Sequence, residues 1–300
     1  MWRLSKTQRR KLERASEPLF PLLVASVRFL ILLPFPMLAL VAKAISWIWW
    51  IAPSRRKRIA EANIRLALGS EAPRSYLREA MELLIRNFLE VAKFYYVSPE
   101  EFRERVEISG AEYLEEARRG GRGVVAVSCH LGNFPLLCMR LALEGWKVGV
   151  VAKMPRNRPL AKFLREKMAA FGIRHIEGSQ RHKAARESLR LLQEGGLLYL
   201  MIDQNPRRGG IPVPFFGHPV PTYRGASILA ERSRAVLIPI FIASHGPGRH
   251  TVYVERPYRP SGDPFSDLEV AARIAEDYIR RFPTQWWWWH RRWKGYLEYR

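Results

Sequence analysis

The apolar residues change their spacing along the chain, and each change predicts a different kind of element. From Leu19 to Ala52 they run almost without interruption, with Arg28 and Lys43 the charges among them. Pro34 and Pro36 divide the run, and proline ends or kinks a helix, so two helical pieces are predicted near 18–33 and 37–51. From residue 57 the apolar positions fall three and four apart, in RKRIAEANIRLAL and then in YLREAMELLIRNFLEVAKFYY, which predicts two amphipathic helices separated near Ser70 and Pro73. Beyond them short apolar runs alternate with helical patterns. Strands are expected at Gly123–Ser128, Lys147–Lys153, Arg174–Glu177, Leu197–Asp203, Val236–Ser244 and His250–Glu255. Helices are expected at about 110–119, 135–144, 158–171, 182–194, 222–234 and 266–282. Strands alternating with helices specify an α/β fold, a mixed and mostly parallel sheet flanked by helices. The chain thus reads as a hydrophobic segment, residues 1–52, followed by an α/β domain, residues 53–300.

Charge adds a partner class. Lys and Arg number 50 against 28 Asp and Glu, a formal charge of +22, which points to a polyanionic partner. Basic residues flank the apolar run on both sides, Arg9, Arg10, Lys11 and Arg14 before it and Arg55–Arg58 after it, and Trp47, Trp49 and Trp50 cluster at its end. Such flanks fit a helical hairpin or a segment lying in the cytoplasmic leaflet as well as a single span. The apolar region is too long for a signal peptide. Nucleic acid is a poor match, because no recognised binding motif accompanies the charge. Two cysteines, Cys129 and Cys138, exclude a disulfide scaffold, and both read as core residues.

Candidate chemistry collects at predicted strand ends, where open α/β sheets bind ligands. In VVAVSCHLGNFPLL an apolar strand runs into His130, then Gly132 and Asn133, then a helix opening near Pro135. An imidazole beside a helix N-terminus suits a general base for hydroxyl attack on an acyl group, with backbone N–H groups near Gly132–Phe134 to receive the oxyanion. Alone, a histidine after a strand is more often a hydrogen-bonded structural residue. Ser128 shares a strand face with His130, which leaves a Ser–His pair conceivable, but no G-x-S-x-G elbow is present. Asp203 and Gln204 follow LLYLMI at a second strand end. Lys153, Arg156 and Arg158 lie between a strand and a helix, a place for a phosphate clamp or for a solvated basic loop. His175, His182, His218, His245 and His250 show no metal-ligand spacing, so neither metal nor other cofactor is assigned.

Four segments, in this order, resemble one family: PSRRKRIAEANIRLAL, SCHLGNFPL, MIDQNPRRGGIPVPFFGHPVPTYRGASILAERSRAVLIPIF and FPTQWWWWHRRWK. The chain resembles the bacterial lipid A late acyltransferases of the lauroyl and myristoyl type, within the glycerolipid acyltransferases that carry a His-x4-acid motif. The resemblance implies a glycerolipid-acyltransferase-like fold with an N-terminal membrane-associated segment, at the bacterial inner membrane with the catalytic domain on the cytoplasmic side. It implies an acyl–acyl carrier protein donor, with acyl-CoA the alternative, and an anionic acceptor: a phosphorylated glucosamine lipid or another lysolipid. By the same resemblance His130 is the base, Asp203 and Gln204 support it or contact the acceptor, and Lys153, Arg156, Arg291 and Arg292 meet phosphate. Arg207 and Arg208 form a basic loop toward headgroups or carrier. Phe215–Gly217 form a structural or acyl-lining turn, and Trp286–Trp289 line an acyl entrance or form core, with His290 structural.

One position departs from the pattern. The acid expected four residues beyond the histidine falls on Pro135, which cannot orient an imidazole or stabilise an imidazolium. Three arrangements are open: another carboxylate serves, Asp203 first and Glu231 second; His130 acts without an acid; or the chain binds lipid or carrier without catalysis.

Overall fold

The computed structural model describes residues 18, 20–51, 54–69, 75–206 and 209–299. The basic N-terminal stretch, Ser70 and Pro73 of the helix break, and Arg207 and Arg208 of the basic loop lie outside them.

Five helices precede the sheet: α1 (Phe20–Leu30), α2 (Phe35–Ile51), α3 (Arg55–Leu68), α4 (Ser75–Phe94) and the short α5 (Pro99–Arg105). The break between α1 and α2 falls at the prolines, as their spacing predicts, and Pro34 leaves its carbonyl to accept from Leu38 N–H. Ser54 caps α3 and Ser98 caps α5, each hydroxyl accepting a first-turn N–H. One stripe of α2, with Leu38 and Ala42, packs on Leu89 of α4. The other stripe, including Leu40, Trp47, Ile48 and Ile51, is exposed. Arg28 and Lys43 are exposed as well, so neither charge needs a buried partner. No single described helix is long and apolar enough to cross a membrane.

The body then runs β1 (Val106–Ser109), α6 (Ala111–Arg119), β2 (Val124–Ser128), α7 (Phe134–Leu143), β3 (Val148–Ala152), α8 (Arg158–Ala170), β4 (Arg174–Glu177), α9 (Arg181–Gln193), β5 (Leu197–Met201), β6 (Gly210–Phe215), β7 (His218–Tyr223), α10 (Gly225–Ser233), β8 (Val236–Gly246), β9 (Arg249–Val254) and α11 (Pro264–Arg281). Seven strands form one sheet in the order β1-β9-β8-β2-β5-β3-β4. All neighbours are parallel except β8 and β9. This is the mixed, mostly parallel α/β sheet that the strand–helix alternation predicts.

Every residue of β2 is buried, as a central strand covered on both faces requires. Val125, Val127 and Cys129 point into a core shared with α9, α10, α11 and the C-terminal tryptophans. Val124 and Ala126 point into the opposite core, with α5, α6 and α7. Cys138 is buried in that second core.

Two features escape the sequence pattern. Strand β1 is an edge of four residues, VEIS, too short for a period-two signal. Strands β6 and β7 form a separate antiparallel ribbon in which Pro212 faces Pro221 and Pro214 faces Pro219. Proline lacks the N–H that a ladder uses and so argues against a strand; here it is tolerated because both strands of the ribbon are edges. The ribbon turns at Phe216 and Gly217, both at positive φ, as a tight hairpin needs. Phe215 and Phe216 are buried and pack on Trp293, so this turn is a structural element.

Candidate active site

Strand register brings the site together. Ser128, the last residue of β2, pairs with Met201, the last of β5, and Ile202 N–H extends the ladder to Ser128 O at 3.0 Å. His130 and Asp203 each lie two residues beyond that pair, on the carboxyl edge of the sheet, and so meet side by side. His130 Nδ1 is 2.7 Å from Asp203 Oδ1, and the His130 backbone N–H donates to Oδ2 at 2.9 Å. Trp286 Nε1–H donates to the same Oδ2 at 2.8 Å.

Asp203 is buried, and burial by itself raises a carboxyl pKa. The adjacent imidazole and the three hydrogen bonds more than offset it, bringing the carboxyl down to about 2. Asp203 is therefore ionised at neutral pH and can only accept. The proton of a neutral imidazole then resides on Nδ1, which leaves the Nε2 lone pair as the base. Gln204 Nε2 stands 3.1 Å from that atom.

Pro135 occupies the first turn of α7, and the carboxylate against the His130 ring is that of Asp203. Glu231 is exposed near the C-terminal end of α10, its carboxylate facing the Gly262 turn. Ser128 is engaged elsewhere: Tyr199 Oη–H donates to its Oγ at 2.9 Å, and burial raises the Cys129 thiol well above its ordinary pKa.

The turn after His130 is shaped by close packing. Gly132 has φ +58°, and a Cβ there would lie 2.2 Å from Ile242 O, so glycine is required. Its N–H donates to Gln285 O at 2.9 Å, which removes it as an oxyanion donor and leaves Asn133 and Phe134 N–H at the start of α7. Asn133 is fully buried, its Nδ2 donating to Asn87 O at 3.1 Å and its Oδ1 without a partner among the described residues.

An apolar groove opens beside His130. Leu83, Leu84, Phe88 and Val91 of α4 form one wall, and Phe134, Trp287 and Trp289 contribute to the rest. The C-terminal tryptophan block serves both as core and as groove lining. Trp286 and Trp288 are buried, while Trp287 N–H donates to His130 O at 3.0 Å, bridging the block to the histidine turn. His290 is half-buried, and burial first, then the positive neighbours, hold its imidazole down at about 4.

The basic candidates separate. Lys153 and Arg156 are exposed past the carboxyl end of β3, the neighbour of β5, on the same edge as His130. Arg291 is half-buried with its guanidinium 5.7 Å from the Tyr299 ring. Arg292 corrects the expectation of a phosphate ligand. It is 1% exposed and donates to Asn205 Oδ1, Pro221 O and Thr222 Oγ1 at 2.7–2.9 Å, tying the β6–β7 ribbon to the site. Burial lowers its pKa to about 10, with Asp203 acting against that, and it stays charged at neutral pH.

Residues 6–295 match the family of bacterial lipid A biosynthesis acyltransferases. The chain belongs to this family. Its relatives include a lipid A biosynthesis acyltransferase of Haemophilus influenzae, 25% identical over 293 residues, which span 92% of this chain and 90% of the relative. A phosphatidylinositol mannoside acyltransferase of Mycobacterium tuberculosis is 25% identical over 190 residues, 62% of this chain and 59% of that relative. As a member of this family, the chain is an acyltransferase.

Several site residues carry no signal readable before the fold is known. Trp286 is one aromatic among four in WWWW, and only its Nε1–H to Asp203 sets it apart. Asn63 left a weak trace, a polar residue on the apolar stripe of α3. It is fully buried, donating to Trp288 O and His290 O at 2.7 Å each, and holds the tryptophan block in place.

Proposed function

We propose that the protein moves a fatty acyl chain from an acyl carrier protein thioester to a hydroxyl of a lipid A precursor or related lysolipid, at a membrane surface. The observation that carries this reading is the ionised Asp203 against His130 Nδ1 at 2.7 Å, at the mouth of an apolar groove. It favours the first of the three arrangements open at Pro135.

The acyl chain lies in the groove against α4 and the tryptophans. His130 Nε2 takes the proton of the acceptor hydroxyl, and the oxygen attacks the thioester carbonyl carbon. Asp203 holds the ring in the required tautomer and stabilises the imidazolium. As the tetrahedral species collapses, the C–S bond breaks and the imidazolium returns the proton to the thiolate. Asn133 and Phe134 N–H, at the positive end of α7, face the developing oxyanion. Lys153, Arg156 and Arg291 meet the phosphates of the acceptor, and the +22 charge draws in an acidic carrier. Support for membrane attachment comes from the exposed apolar stripe of α2 and from Phe29 and Leu32 beside it.

The test is acyl transfer followed by mass spectrometry, with the full chain in detergent, lauroyl–acyl carrier protein and an underacylated lipid A precursor. A new acylated lipid that is lost with His130→Ala is the expected result. Absence of product from the wild type, with donor or lipid still bound, would replace this reading with a non-catalytic lipid-binding one.

A further inference from the structure

We propose that Gln204 is a further catalytic residue: it holds the base with its side-chain amide and, displaced by the acceptor hydroxyl, donates that amide N–H to the oxyanion of the tetrahedral intermediate. The inference rests on the acyl-transfer reading above and adds a donor that the turn after His130 does not supply.

Three observations support it. The first is direction. With the neutral ring's proton held on Nδ1 by Asp203, Nε2 carries a lone pair, and the Gln204 side-chain nitrogen 3.1 Å away is placed to donate to it. The amide therefore stands where a hydroxyl must come to be deprotonated, since an O–H···N contact needs about 2.8 Å from the same nitrogen. A group displaced from that point remains next to the carbon under attack.

The second is need. Oxyanion sites work by donors preorganised about 3 Å from the oxygen, and backbone N–H groups are the usual source. Gly132 N–H is bonded to Gln285 O, so the turn offers fewer donors than its sequence suggests.

The third is a fixed backbone with a movable side chain. Gln204 lies between Asp203, buried and held by three hydrogen bonds, and Asn205, whose Nδ2 donates to Arg291 O at 2.9 Å and Arg292 O at 2.8 Å. Its own side chain is half-exposed and is hydrogen-bonded to the histidine ring. Rotation about its side-chain bonds moves the amide without disturbing the dyad.

The acceptor O–H gives its proton to His130 Nε2, and the new C–O bond forms as the carbonyl π electrons move onto oxygen. Gln204 Nε2–H donates to that oxygen without transferring its proton. The electrons return as the C–S bond breaks, and the thiolate takes the proton from His130.

The experiment compares wild type, Gln204→Ala and the isosteric Gln204→Glu, with lauroyl–acyl carrier protein and the underacylated lipid A precursor as probes. A phosphonate analogue of the tetrahedral intermediate is titrated in parallel. Loss of an oxyanion donor is expected to lower kcat about 100-fold, with KM changed less than about threefold, and to weaken phosphonate binding by a similar factor. Gln204→Glu keeps the volume and loses the donor, so it should fall at least as far. Retention of kcat within about threefold in Gln204→Ala, a loss confined to KM, or unchanged phosphonate affinity would overturn the inference and leave the acyl-transfer reading standing. An inactive wild type would overturn both.

Discussion

Among the described residues two histidines pair with buried carboxylates, and they differ in what the second ring nitrogen meets. His130 and Asp203 join at 2.7 Å, and His250 and Glu90 join at 2.9 Å. Both acids are inaccessible. The His130 side chain, however, is 16% exposed beside a groove, whereas that of His250 is 0% exposed. Glu90 also faces Arg86 at 3.4 Å and accepts Gly248 N–H at 2.8 Å, and Arg86 bonds Ser244 Oγ, so the second pair fastens α4 to the β8–β9 turn. A histidine beside an acid is catalytic machinery only where its other nitrogen opens onto space that a substrate can enter. The second pair supports the first indirectly, because α4 is the wall of the groove.

Breaking the pairs separately is the sharpest test of this contrast. Asp203→Asn leaves the ring without its orienting anion and should lower kcat about 1,000-fold, read by initial rates of acyl transfer. His250→Ala should leave kcat within about threefold and instead lower stability by about 3 kcal/mol, read by chemical unfolding, because a buried carboxylate loses a partner. Equal kinetic losses in both variants would remove the distinction.

Acid sharpens it further. Asp203 has its carboxyl held down at about 2, below the ordinary aspartate value near 3.8. A depressed folded-state pKa adds stability that is complete above the unfolded value and disappears as pH falls through the folded one. Asp203 should therefore contribute about 2 kcal/mol near neutral pH. The stability difference between wild type and Asp203→Asn should narrow between about pH 4 and pH 2 in urea titrations. A difference independent of pH over that range would mean that the carboxylate charge contributes nothing.

Smaller effects probe the surroundings. Trp286→Phe removes one donor from Asp203 and should cost about 1–2 kcal/mol with a severalfold slower rate. Pro135→Glu restores the acid of the sequence motif, yet His130 Nδ1 is already bonded to Asp203. Rates should not rise, and should fall modestly because a charge enters the apolar groove wall. An increase would show that the motif position still controls the ring.

Much of the fold was legible because its signals are local. Strands β2, β5 and β8 are continuous apolar runs, and the helices between them carry three-and-four spacing, so their positions follow from the residues themselves. The ribbon of β6 and β7 was not legible, since its prolines argue against strands in any sheet interior. His130 stood out by its place between an apolar strand and a helix start. Asp203 could be ranked above Glu231 only as the end of another apolar strand, and the groove wall on α4 was one amphipathic face among several.

The α/β class, the central strands, the histidine at a strand end and the proline in place of the motif acid at position 135 all follow from the residues alone. Side-chain periodicity and proline restrictions act over a few residues, so they can be read without coordinates. It took the folded chain to show which carboxylate stands against His130, that Trp286 bonds it, that Arg292 is a buried tie, and that His250 is closed off. Those facts join residues 70 or more apart in the chain, through the register of β2 on β5 and the packing of the C-terminal block on the histidine turn and the β6–β7 ribbon.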